Sequence, residues 1–170
     1  MNSSTPHKIV KNPSIPDTVG HMAKFAKDGA KNLDIRGLVE RICIDLEPGD
    51  YSSEVLSLYY WVCKNIRYIR DIDNVEFLKT PEMILKTRTG DCDDIATLLA
   101  AMLISAGNIC RFAINDMSPH GKTDKPMYSH VFCQVYIPES RSWITVDPVS
   151  GKEAAAMHKR TTAYQVFPFR

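Results

Sequence analysis

The stretch from Gly90 to Gly107, Gly-Asp-Cys-Asp-Asp-Ile-Ala-Thr-Leu-Leu-Ala-Ala-Met-Leu-Ile-Ser-Ala-Gly, constrains this chain more than any other. Ile95, Leu98, Leu99, Met102, Leu103 and Ala106 recur at the spacing of one helical stripe, so the segment reads as a helix with a buried face. Asp91 is placed to cap its start and Gly107-Asn108 to end it. Cys92 then falls in the first turn, where unpaired backbone N–H groups and the helix dipole favour a thiolate. Asp91, Asp93 and Asp94 crowd the same turn; they stabilise the helix end but oppose a negative sulfur. The helix start alone therefore does not activate this thiol, and a cationic partner is required.

Strand periodicity supplies one. Along Ser129 to Ile137 the even positions His130, Phe132, Gln134 and Tyr136 share a face, and in Trp143 to Asp147 the odd positions Trp143, Thr145 and Asp147 do. An even loop such as the four residues Pro138 to Arg141 sets even positions opposite odd ones. His130 and Asp147 then become diagonal neighbours roughly 5 to 7 Å apart at their Cβ atoms. An odd loop would place them on opposite faces. The roles follow from amide chemistry: Cys92 as nucleophile, His130 as proton carrier, Asp147 as the carboxylate that fixes the ring. The Cys92 N–H is an available oxyanion donor. The sequence does not identify a second; Tyr68 and Trp61 are candidates, and they and Trp143 are expected to line the substrate cleft. The expectation is cysteine-dependent acyl transfer or hydrolysis.

The remaining chain reads as packing around this centre. Residues 1–17, rich in Ser, Asn and Pro, read as a flexible arm, and 18–170 as one domain. Helices are expected from Thr18 to about Gly29, from Leu33 to about Leu46, and after a Ser52 or Ser53 cap through Ile66. Thr80-Pro81 opens a short helix to Lys86. Strand-like runs lie at Ile109 to Ile114, Ser129 to Ile137 and Trp143 to Asp147, with an edge strand over Tyr164 to Phe169 and a brief helix over Lys152 to Lys159. The segment Asp116 to Tyr128 reads equally as a substrate-facing lid or an ordinary surface loop.

Composition enters by exclusion. A net charge of +1 supplies no field toward nucleic acid or an anionic membrane, and neither is expected as a partner. Five cysteines without a C-x-x-C pair argue against a zinc ribbon or disulfide framework and for a reducing, cytoplasmic setting. Cys43, Cys63, Cys110 and Cys133 read as small buried hydrophobes. The N-terminal residues lack the pattern of a secretory signal, and the longest apolar run, Ile95 to Ala106, is too short to span a bilayer. The three aspartates are ordinary helix-start residues, so no metal or cofactor is expected. The partner implied is a protein or peptide substrate; oligomeric state is open.

Three separated motifs carry a resemblance. Tyr60-Trp-Val with Ile66-Arg-Tyr68, then Gly90-Asp-Cys-Asp-Asp94 opening a helix that ends in Ala106-Gly107, then Ser129-His-Val131 with Trp143-Ile-Thr-Val-Asp-Pro148, resemble the transglutaminase-like superfamily from about Glu54 to Pro148. The wording is similar to that of small stand-alone bacterial and phage members. The resemblance implies an α+β, papain-like core, with N-terminal helices and a central cysteine-bearing helix packed on an antiparallel sheet. It also implies a catalytic triad of Cys92, His130 and Asp147. It does not fix the reaction, since the superfamily includes proteases, amidases, cross-linking acyltransferases and inactive members. The alternative it leaves is a non-catalytic assembly protein, such as a virion component; a phage-encoded chain would then sit in host cytoplasm or virion.

Overall fold

The computed structural model describes residues 7–10, 14–70, 76–116, 128–149 and 164–169. In order they form β1 (His7–Val10), α1 (Ile15–Gly29), α2 (Leu33–Cys43), α3 (Tyr51–Asn65), β2 (Arg67–Tyr68), β3 (Glu76–Lys79), α4 (Pro81–Thr87), β4 (Thr89–Gly90), α5 (Cys92–Ser105), β5 (Cys110–Asp116), β6 (Tyr128–Ile137), β7 (Ser142–Val146) and β8 (Tyr164–Pro168). The fold is α+β, with helices packed on an antiparallel sheet. The expected helix at 152–159 and the expected lid or loop at 117–127 lie outside the described residues. Among the described residues no helix is long and apolar enough to cross a membrane.

Local chemistry sets the helix starts. Ser14 caps α1, its hydroxyl oxygen accepting from the Asp17 N–H, and Pro16 follows in the first turn, so the helix begins three residues before the expected Thr18. With His7–Val10 paired antiparallel to β3, part of the stretch read as an arm joins the fold. Asp50, rather than Ser52 or Ser53, caps α3 by accepting from the Ser53 N–H at 3.0 Å. Its carboxylate is the stronger acceptor for the dipole at a helix start. Thr80 caps α4 ahead of Pro81, as the pair predicts.

The sheet runs β7-β6-β5-β8, antiparallel throughout. One face presents Cys110, Phe112, Val131, Cys133, Val135 and Val146 to the core, all buried. Helix α5 lies on this face and is flanked by α1 to α4. The sequence suggests one buried stripe, yet every residue from Asp94 to Leu103 is buried, because helices enclose the side away from the sheet. Ala96, Ala100 and Ala101 are the small residues that permit this close approach. The Cys133 thiol donates to the Ala96 carbonyl at 3.3 Å, and a Cβ on Gly29 of α1 would come within 3.3 Å of Ala101 and 2.6 Å of Pro81.

Burial pushes the Cys110 thiol up to about 12 from 9.0 and raises Cys133 well above 9.0. Above 9 the unfolded chain has shed these two protons while the folded chain keeps them, so stability falls as pH rises. Urea midpoints should be flat below pH 9 in this respect and decline between about 9 and 12. Cys110→Ala should shallow that decline, which titration at stepped pH measures directly.

Candidate active site

The start of α5 is assembled by contacts that the motif Gly90-Asp-Cys-Asp-Asp94 alone does not reveal. The Asp91 carboxylate caps the helix, accepting from the Asp94 N–H at 3.1 Å. Asp94 is fully buried; its carboxylate accepts the Lys79 backbone N–H at 2.8 Å and forms an ion pair with the Lys79 ammonium. Gly90 lies against that carboxylate, and a Cβ there would stand 2.6 Å from the Asp94 Cβ. Strand β4, which carries Gly90, pairs in parallel with β2, the Ile69 N–H donating to the Gly90 carbonyl and the Arg67 N–H to that of Arg88, both at 2.9 Å. The Ile66-Arg-Tyr and Gly-Asp-Cys motifs are therefore neighbouring strands of one small unit.

Cys92 occupies the first position of α5, half-buried. Its thiol donates to the Asp93 carboxylate at 3.4 Å, and the backbone N–H of Val131 meets the sulfur. Burial first, then the charges of Asp93 and Asp91, hold the thiol well above its ordinary value, and the Val131 N–H pulls the other way. The acidic residues thus oppose the thiolate, as their positions imply.

The contact with Val131 puts the sulfur beside the strand that carries His130. Strands β6 and β7 are joined by the four residues 138–141 and paired Ile137↔Ser142 through Cys133↔Val146, the even-loop parity. His130 and Asp147 accordingly share a face, and the ring Nε2 stands 2.6 Å from Asp147 Oδ2. Asp147 is 3% exposed, and its Oδ1 accepts the Val149 N–H at 3.0 Å. The same carboxylate thus holds the turn at Pro148 with one oxygen and the imidazole with the other.

The three cleft candidates separate. Tyr68 pairs with Gly90 across the β2–β4 ladder, two residues before the thiol, and is 46% exposed. Burial and the charges of Cys92 and Asp91 raise its phenol above the ordinary value. Trp61 is half-buried under the Arg88 guanidinium, 5.0 Å from its ring centroid, and so supports the turn into β4. Trp143 lies on the same sheet face as Asp147 but four residues away, about 13 Å along the strand. It is 38% exposed, and Arg111 stacks on it at 3.9 Å.

A family model described as the transglutaminase-like superfamily matches residues 40–148. The chain belongs to that superfamily. Among solved structures it is similar to a candidate cysteine protease from Cytophaga hutchinsonii, at 18% identity and TM-score 0.53, covering 95% of this chain and 58% of that one. It is also similar to a candidate protease from Parabacteroides distasonis ATCC 8503, at 12% identity and TM-score 0.51, covering 78% of this chain and 27% of that one. The chain thus spans well under two thirds of either neighbour, and at these identities the likeness is one of fold. Comparison with curated proteins finds no match.

Within this superfamily member, several residues near the site had no sequence signal. Lys79 is one, since its partner is 15 residues away in a different element. Asn115 is another: it pairs with His130 across β5 and β6, is 1% exposed, and neither end of its amide has a hydrogen-bond partner among the described residues. Cys63, expected to be buried, is exposed, its thiol 3.9 Å from the Pro148 carbonyl and hydrogen-bonded to Tyr59. Burial, that bond and the nearby Asp147 charge push the Tyr59 phenol up to about 12.

Gly90 gives a direct check on this construction. Gly90→Ala forces its new methyl into Asp94, so it should lower unfolding free energy by about 1–3 kcal/mol. The same change at Gly20, where an added Cβ meets nothing within 4 Å, should be neutral or slightly stabilising, since alanine is the better helix former. Urea titration of Gly90→Ala and Gly20→Ala makes the comparison.

Proposed function

We propose that this chain is a cysteine-dependent enzyme that transfers or hydrolyses an acyl group of a peptide, isopeptide or side-chain amide, using Cys92, His130 and Asp147. The observation that carries the reading is the 2.6 Å contact between His130 Nε2 and the buried Asp147, on the strand whose Val131 N–H meets the Cys92 sulfur. With Nε2–H committed to the carboxylate, the neutral ring carries its lone pair on Nδ1, the nitrogen that receives the thiol proton. The raised thiol suits proton transfer at the moment of attack rather than a standing thiolate.

In the first half-reaction the Cys92 sulfur bonds to the carbonyl carbon and its proton passes to His130. The tetrahedral intermediate collapses to a thioester as His130 returns that proton to the departing amine. Water or a second amine then attacks the thioester with His130 as base, giving hydrolysis or transamidation. The superfamily membership and the protease-like neighbours support this class of chemistry. A reducing compartment suits five free thiols.

Site-resolved alkylation tests the pair. At pH 7.5, iodoacetamide labelling followed by peptide mass spectrometry should show Cys92 reacting at least about tenfold more slowly in His130→Ala than in the wild type, with Cys63 unchanged. Identical Cys92 rates and pH profiles in the two proteins would remove His130 from the mechanism.

A further inference from the structure

We propose that the Arg111 guanidinium is a carboxylate-binding subsite, taking an acidic side chain of the peptide substrate about four residues from the bond under attack. The substrate role rests on the acyl-transfer reading above; the carboxylate site itself does not.

The subsite is built on the sheet face that carries His130. Arg111 pairs with Gln134 across β5 and β6, and Gln134 with Thr145 across β6 and β7, so the three share one face. Parity puts His130 on that face too, four residues along β6 from Gln134. Gln134 is 6% exposed, and its Oε1 accepts from Arg111 Nε at 2.9 Å. The guanidinium stacks on Trp143, 3.9 Å from the ring centroid, and Tyr136 packs edge-on against that indole at 5.7 Å. One edge and the plane of the guanidinium are thus fixed.

Its other edge is unmatched. Among the described residues the ion-paired carboxylates of Asp94 and Asp147 go to Lys79 and His130, and Arg111 has no carboxylate partner. A guanidinium held flat presents parallel N–H donors spaced for the two oxygens of one carboxylate. The fold has already ordered the arginine, so an arriving carboxylate gains the contact without that entropic cost. Trp143 is 38% exposed, which leaves the stack open to solvent.

Distance sets the spacing in the substrate. Four residues of strand separate the subsite from His130, about 13 Å, and an extended peptide covers that length in about four residues. Ala113 and Phe132, paired on the rung between, are buried, so the path runs over the half-buried Thr145 on β7, the outer strand of the sheet.

A nonapeptide of serine and alanine with one central glutamate tests the subsite for either direction of the substrate chain; its control carries glutamine instead. Trp61→Phe leaves Trp143 as the sole tryptophan, and its fluorescence reads binding. The Glu peptide should saturate the signal at a concentration about tenfold below that of the Gln peptide. It should also slow iodoacetamide alkylation of Cys92 at concentrations where the Gln peptide does not. Arg111→Gln should make the two peptides equivalent, and Arg111→Lys, which keeps the charge without the fork, should restore only part of the difference. Equal behaviour of the two peptides with Arg111 in place would overturn the proposal, and that comparison needs no Arg111 variant to fold. A Glu preference that survives Arg111→Gln would overturn it too, as would binding that leaves Cys92 fully reactive, since such a site lies off the substrate path. No readout here requires turnover. If the His130→Ala alkylation rates remove the acyl-transfer reading while the Glu peptide still shields Cys92, the carboxylate site stands and only its substrate role is lost.

Discussion

The buried Asp94 carboxylate is the contact on which the rest of the site depends. A carboxylate removed from water is costly unless its lone pairs are met and its charge is matched, and here the Lys79 N–H and ammonium do both. That pairing ties the end of β3 to the first turn of α5. Because Asp94 must stand where Gly90 passes, the chain there has no room for a side chain, and the glycine in turn lets β4 run flush against β2. Cys92, lying between Gly90 and Asp94, is held from both sides. The orientation of the thiol is thus a consequence of a salt bridge it does not take part in.

Electrostatically the site is divided. On the α5 side, burial and two aspartates disfavour a charged sulfur; on the sheet side, the Val131 N–H favours it, and the His130–Asp147 pair is the proton acceptor proposed above. A thiol that keeps its proton is less prone to oxidation than a standing thiolate. Cys63, the exposed thiol of the described residues, is itself held above its ordinary value by partial burial and by the charge of Asp147.

What the sequence made legible was whatever depends on short-range period or local chemistry. The α5 stripe, the caps at Asp91 and Thr80, and the even-loop parity of β6 and β7 follow from repeats of 3.6 and 2 and from a four-residue connection. What it hid was non-local. Nothing in the text around Lys79 announces Asp94, nothing near His7–Val10 announces β3, and a two-residue strand such as β2 is too brief for a periodic signal. The all-round burial of α5 was masked because alanines count weakly as apolar yet are what close packing requires. Cys63 misled for the opposite reason: it sits on an apolar-looking stripe of α3, but that flank faces Pro148 at the surface. Trp143 shares the parity of Asp147, and parity fixes the face of a strand without fixing distance along it.

The arrangement of Asp147 bears on whether such a chain has use for chemistry. A scaffold needs the turn at Pro148, and one oxygen accepting the Val149 N–H provides it. Asparagine would supply the same acceptor without a charge to desolvate. The carboxylate instead sits 3% exposed with its second oxygen on an imidazole, an arrangement whose desolvation cost offsets much of its Coulomb attraction. On the proposed reading it would gain its value when the imidazole takes up the thiol proton, because only then would the buried negative charge have a full partner. A carboxylate buried beside a ring that can be charged intermittently is what the proposed proton shuttling at His130 would require, whereas the turn at Pro148 needs only the one acceptor oxygen.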